Sequence, residues 1–134
     1  MSRLPVSRLP VSQMKGFSAL TLSVSDMARS VHFYETLGFR LDHGGPEADF
    51  STLWGGQHAL NLTTERRSAP PGFWGRAIFE VEDVDAFHAA ITAAGIKTGF
   101  GPRDAPWMER YFHLADPDGH ELSFMTPIGT KAKP

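Results

Sequence analysis

Residues 110–125 read Arg-Tyr-Phe-His-Leu-Ala-Asp-Pro-Asp-Gly-His-Glu-Leu-Ser-Phe-Met. Two alternating runs flank Asp116-Pro117-Asp118-Gly119, whose Asp, Pro and Gly occupy the positions they prefer in a type I turn. The stretch therefore predicts a β-hairpin. Phe112 and Leu114 share one face with Leu122 and Phe124 across the turn, and this is the face for a core. Tyr111 and His113, with Glu121, Ser123 and Met125, share the other. A period of 2 with one apolar and one aromatic-polar face asks what the second face sees.

The rest of the chain sets bounds. At 134 residues it is expected to form one domain, and a chain of this length buries roughly 68% of its unfolded surface. Its net charge of −2 gives no electrostatic basis for binding nucleic acid or a membrane surface. With zero cysteines there are no disulfides, thiolate metal sites or cysteine nucleophiles. That suits a reducing compartment, and a cytoplasmic location is expected. No apolar run approaches the roughly 18 residues of a spanning helix. Arg3 and Arg8 precede no apolar segment, so no secretory signal is expected.

Taken in order, residues 2–6 and 7–11 repeat Ser-Arg-Leu-Pro-Val, an extended arm over residues 1–16. Residues 17–24 alternate as a strand. Asp26 caps a helix with Met27, Val31, Tyr34 and Leu37 on its apolar stripe, and Gly38 stops it. Residues 39–42 are expected as a short strand, and 49–54 with 57–63 as a hairpin. Residues 64–74 form a linker. The pattern then starts again: a strand at 76–81, a helix at 84–94 capped by Asp83 and stopped by Gly95, a strand at 96–100, a loop at 101–106 and the closing hairpin. The offset from Asp26 to Asp83 is 57, and so is that from Gly38 to Gly95. Two copies of strand–helix–strand–strand–strand, module one at 17–63 and module two at 75–127, make a single α+β domain. Residues 128–134 are a tail.

Paired βαβββ modules with Leu22-Ser-Val-Ser-Asp26, Phe33-Tyr-Glu-Thr-Leu-Gly-Phe39, Glu80-Val-Glu-Asp-Val84 and the hairpin from Arg110 to Gly119 resemble the vicinal oxygen chelate superfamily. That superfamily comprises glyoxalases, bleomycin-resistance proteins and extradiol dioxygenases. The resemblance covers about residues 17–127 and implies a curled mixed-sheet cup with the helices outside. It also implies that metalloenzyme members hold a divalent ion with one ligand from the first and one from the last strand of each module. In this chain those positions carry Ala19, Asn61, Arg76 and Ser123. None is a usual ligand for a catalytic divalent ion, and an arginine repels a cation. The expectation is no metal and no other cofactor.

Trp107, Arg110, Tyr111 and the Asp116 turn are most similar to the bleomycin- and mitomycin-resistance branch. That branch implies binding of a planar or cationic antibiotic in an aromatic crevice, commonly by a homodimer. With the cup assumed, alternation nominates Thr21, Asn61, Arg76, Tyr111, His113, Ser123 and Met125 as lining, with Trp54, Trp74 and Trp107 near its mouth. Such aromatic walls with few polar anchors suit a small-molecule ligand. Arg76 reads either as an anchor for an anionic or carbonyl group or as the internal partner of Glu80. Trp107 reads either as a crevice wall or as a cover for the sheet edge. Arg110 shares parity with Phe112 and is expected to brace the fold. The rival expectation is a glyoxalase-like lyase, isomerase or epimerase, with displaced metal ligands or with His113 and either Glu80 or Tyr111 as acid and base.

Overall fold

The computed structural model describes residues 17–65 and 74–129. The expected arm at 1–16 and most of the linker and tail lie outside them. Two helices and eight strands follow in the order β1 Ala19–Ser23, α1 Met27–Thr36, β2 Arg40–His43, β3 Phe50–Gly55, β4 His58–Thr63, β5 Arg76–Glu80, α2 Val84–Ala93, β6 Arg103–Ala105, β7 Glu109–Ala115 and β8 Glu121–Pro127. The architecture is α+β, two βαβββ modules with one four-stranded mixed sheet each, ordered β1-β4-β3-β2 and β5-β8-β7-β6. In each sheet the module's first strand runs parallel to its last, and the other pairings are antiparallel.

Local chemistry explains the elements. The Asp26 carboxylate accepts from the Arg29 N–H at 3.0 Å, and Asp83 accepts from Asp85 and Ala86 at 3.1 Å, so each helix begins on a capping aspartate. Met27, Val31 and Tyr34 of α1 are buried with Leu37, facing Leu22, Leu53, Leu60 and Leu62 of the first sheet. Val84 and Ile91 of α2 do the same on the second, where Phe87, Phe112 and Phe124 stack within 4.8–6.3 Å. The helices thus cover one face of each sheet and leave the alternate residues of every strand on the other.

One expected strand is absent. Residues 96–100 are irregular, and the second strand of module two is β6, within the span expected as a loop. Ile96, Thr98 and Phe100 are half-buried and alternate with exposed Lys97 and Gly99. That alternation reflects packing: Thr98 meets His88 at 3.0 Å and Phe100 packs on the core. Pro102 supplies no N–H, so regular ladder pairing begins only after it, at Arg103 opposite Tyr111. The offset of 57 therefore holds from β1 to β5 and from α1 to α2, then lapses. Three residues separate α1 from β2, but nine separate α2 from β6.

The hairpin turn joins the modules. Asp116 is 4% exposed, and its Oδ1 accepts from the Asp118 and His120 N–H groups at 2.9 and 2.8 Å. Its Oδ2 accepts from the Tyr34 hydroxyl at 2.6 Å, reaching across to α1 of module one. Asp118 accepts from the Ser25 N–H at 2.9 Å. Gly119 closes the turn at φ +86°, a conformation that favours glycine. Burial, reinforced by the Asp116 carboxylate, holds the Tyr34 phenol well above its ordinary pKa. Phe39 of module one also meets Phe79 of module two edge-on at 5.3 Å.

Candidate functional site

The uncovered face of the second sheet carries the site. Cross-strand register places Ile78, Ser123 and His113 in one row, Arg76 and Glu121 in the row before it, and Glu80, Met125 and Tyr111 in the row after. Arg76, Ile78, Ser123, Glu109, Tyr111 and His113, with Trp107 from the β6–β7 turn, line a cleft of about 220 Å³. All come from module two.

One wall is a continuous aromatic surface. The rings of Trp107 and Tyr111 are 5.9 Å apart and tilted by 34°, and Tyr111 lies 5.1 Å from His113. Phe100 meets both edge-on, at 5.7 Å from Tyr111 and 5.5 Å from His113. The Arg103 guanidinium caps Phe100 at 3.7 Å. Trp107 stays 57% exposed, and its indole N–H donates to the Glu109 carboxylate at 3.0 Å. The next residue, Met108, has φ +67°, an uncommon conformation for a side chain of its size. The Met108 carbonyl accepts from Ile128 at 3.0 Å, which ties this strained turn to the end of β8.

The opposite wall is ionic. Arg76 Nε donates to Glu121 Oε2 across the parallel β5–β8 pair. Between the two walls, burial pushes the pKa of His113 below the ordinary histidine value, and the Arg76 charge pushes the same way. Glu121 and the Phe112 carbonyl oppose the shift more weakly. The imidazole is therefore neutral near pH 7. Its Nδ1 is sealed from solvent and has no hydrogen-bond partner among the described residues.

The structure gathers five of the nominated residues in the cleft: Arg76, Tyr111, His113, Ser123 and Trp107. The other five lie elsewhere. The Asn61 side chain accepts from Thr52 at 2.7 Å and donates to Thr21 at 3.3 Å, a polar chain along the uncovered face of the first sheet. Trp54 is half-buried on β3, opposite Arg40 and Ala59. Trp74 donates its indole N–H to His120 Nδ1 at 3.0 Å, while His120 Nε2 meets the Ser23 carbonyl at 2.8 Å. Met125 is 5% exposed and lies beneath the surface. Glu80 stands one row along and two strands away from His113, so the register does not bring this acid–base pair together.

Two charged residues of the site were missing from the nominated lining. Glu109 has the parity of Tyr111 and His113, and starting β7 one residue earlier would have found it. Glu121 shares the face of Ser123, but its pairing with Arg76 depends on parallel register, which alternation does not specify. Arg110 is on the other face, donating to both Asp85 carboxylate oxygens at 2.8 and 3.0 Å and to Asp104 at 3.0 Å. It braces β7 against α2 and β6.

As a donor set for a divalent ion, the four family positions do not fit. Ala19 has no donor, the Asn61 amide is engaged, Arg76 is a cation paired with Glu121, and Ser123 offers one hydroxyl. Among the described residues, no three His, Cys, Asp or Glu side chains group to replace them. None of the described helices is long and apolar enough to cross a membrane.

Comparison with known proteins gives the same outline. The family model for the Glyoxalase/Bleomycin resistance protein/Dioxygenase superfamily matches residues 16–124. An uncharacterised protein of Mycolicibacterium smegmatis is 36% identical over 111 residues, spanning 81% of this chain and 91% of its own. Among solved structures, the antibiotic-binding protein TnmS3 from Streptomyces superposes with a TM-score of 0.72 at 28% identity, covering 87% of this chain and 99% of that one. A glyoxalase/bleomycin resistance protein/dioxygenase from Nocardioides superposes with a TM-score of 0.73 at 23% identity, covering 93% and 92%. At that identity the likeness is one of fold.

Proposed function

This chain belongs to the Glyoxalase/Bleomycin resistance protein/Dioxygenase superfamily, and from that premise we propose that it is a metal-independent binding protein for a small aromatic or polar molecule. The observation that carries this reading is the pairing of the Trp107–Tyr111–His113 wall with an arginine at a position where the family resemblance implies a metal ligand. A stack of ring faces with few polar anchors recognises planar compounds, and TnmS3, a protein of the same fold, is an antibiotic-binding protein. Sequestration of such a compound needs no covalent step. The binding unit is residues 17–127, acting in the cytoplasm as a homodimer. The exposed Phe50, on the first sheet's uncovered face, is the kind of surface a second copy covers.

A thermal-shift screen across planar antibiotics and α-keto compounds tests this reading. A ligand at a hundredfold excess over its dissociation constant should stabilise the native state by about 2.7 kcal/mol. Trp107→Ala should abolish most of that shift while leaving the unliganded melting point nearly unchanged, since the side chain is largely exposed. Elemental analysis of the purified protein should find no stoichiometric divalent metal, and finding one defeats the proposal. Light scattering after gel filtration reads the dimer.

A further inference from the structure

The cleft's charges are arranged in opposition. Arg76 and Glu109, the two charged residues that line it, carry opposite signs. Each is already engaged, Arg76 by the Glu121 carboxylate and Glu109 by the Trp107 indole N–H. The titratable ring between them, His113, is neutral. Resting on the binding reading above, we propose that the cleft selects its ligand by charge, accepting neutral planar molecules and rejecting both anions and cations, and that the Arg76–Glu121 pair sets this preference.

The argument rests on competition. An anionic ligand that reaches Arg76 must displace a carboxylate tethered on the neighbouring strand, and it leaves Glu121 without that partner. A cation that reaches Glu121 must compete with the Arg76 guanidinium already bound to it. In either case the ligand loses water from its charge and gains little net attraction in return. A neutral ring system avoids this penalty. It takes the ring faces of Trp107 and Tyr111 on one side and Ile78, 61% exposed, on the other. A volume of about 220 Å³ lies below the usual range for drug-sized ligands and suits a bicyclic aromatic.

Isothermal titration with three probes of one shape tests the inference: 2-naphthol, 2-naphthoate and (2-naphthylmethyl)ammonium. Near neutral pH the wild type should bind the naphthol tighter than either ion, by about tenfold. Glu121→Gln should move the preference towards naphthoate, because the carboxylate opposite Arg76 no longer competes with the probe's. Arg76→Gln should move it the opposite way, towards the ammonium probe. If the wild type prefers either ion, or the two variants fail to shift in opposite directions, charge selection is overturned. Trp107→Ala separates this from the reading beneath it. Equal binding of all three probes that is lost in Trp107→Ala sinks charge selection and leaves aromatic binding in the cleft standing. Binding that survives Trp107→Ala, or no binding of any probe, overturns both.

Discussion

Removing the Tyr34 hydroxyl as Tyr34→Phe deletes one hydrogen bond and little else. The phenol is fully buried and donates to Asp116 Oδ2 at 2.6 Å. Its ring contacts, edge-on to Phe33 at 5.2 Å and to Phe39 at 5.5 Å, survive in phenylalanine. The other Asp116 oxygen keeps its two backbone donors, so the change leaves one buried carboxylate oxygen without its partner. A hydrogen bond to a charged group contributes roughly 1.5–3 kcal/mol, so the variant should lose about 2 kcal/mol in urea denaturation and about 5–10 °C in melting temperature. A cycle with Asp116→Asn should return a coupling of about 1 kcal/mol or more, since the two side chains touch. The pH dependence adds an independent readout. The native phenol is held above its ordinary pKa by burial and by Asp116, whereas the unfolded phenol ionises near pH 10. Above about pH 10 the native state therefore binds more protons than the unfolded state, and stability falls as pH rises. Tyr34→Phe lacks this contribution, so the gap between wild type and variant should narrow there. A loss below about 0.5 kcal/mol, with an unchanged alkaline limb, would show that the module-to-module bond contributes nothing beyond its replacement by water.

The His113 ring, followed by NMR, should titrate below the ordinary histidine range of about 6.5. Between its native pKa and about 6.5 the unfolded chain binds more protons, so stability should decline as pH falls through that window, and His113→Phe should remove the decline. Arg76→Gln should raise the titration midpoint and Glu121→Gln should lower it, because the two charges act on the ring in opposite senses; shifts of the reverse sign would refute the assigned electrostatics. Gly44→Ala should destabilise by about 2 kcal/mol or more in denaturant melts, since the backbone is at φ +82° and a Cβ there would come within 2.3 Å of the Phe50 carbonyl oxygen. A near-neutral result would mean that the β2–β3 turn relaxes freely.

The hairpin at 110–125 was legible because two independent signals agreed there, a turn tetrad and alternation on both sides of it. The offset of 57 was legible because duplicated strand–helix units keep their caps. The strand expected at 96–100 shows the limit of that reading. Alternating burial appears wherever a segment lies along a core, with or without a ladder, and only the position of Pro102 and the pairing of Arg103 with Tyr111 separate the two cases. Trp74 shows another limit: nothing local indicates that its indole meets His120, 46 residues away.

By itself, the sequence determined which side of each strand faces the helices, where the helices start and stop, and that the family's ion-ligand positions hold Ala19, Asn61, Arg76 and Ser123. The first two follow from residue type and short-range periodicity, and the last from the resemblance to the family. Tertiary structure alone decided that Arg76 pairs with Glu121, that the cleft is built from module two, and that Asn61 joins Thr21 and Thr52 instead. The Arg76–Glu121 and Thr21–Asn61 pairings depend on the register of parallel strands 45 and 40 residues apart in the chain. Local sequence does not encode that register; the packing of both helices against both sheets does.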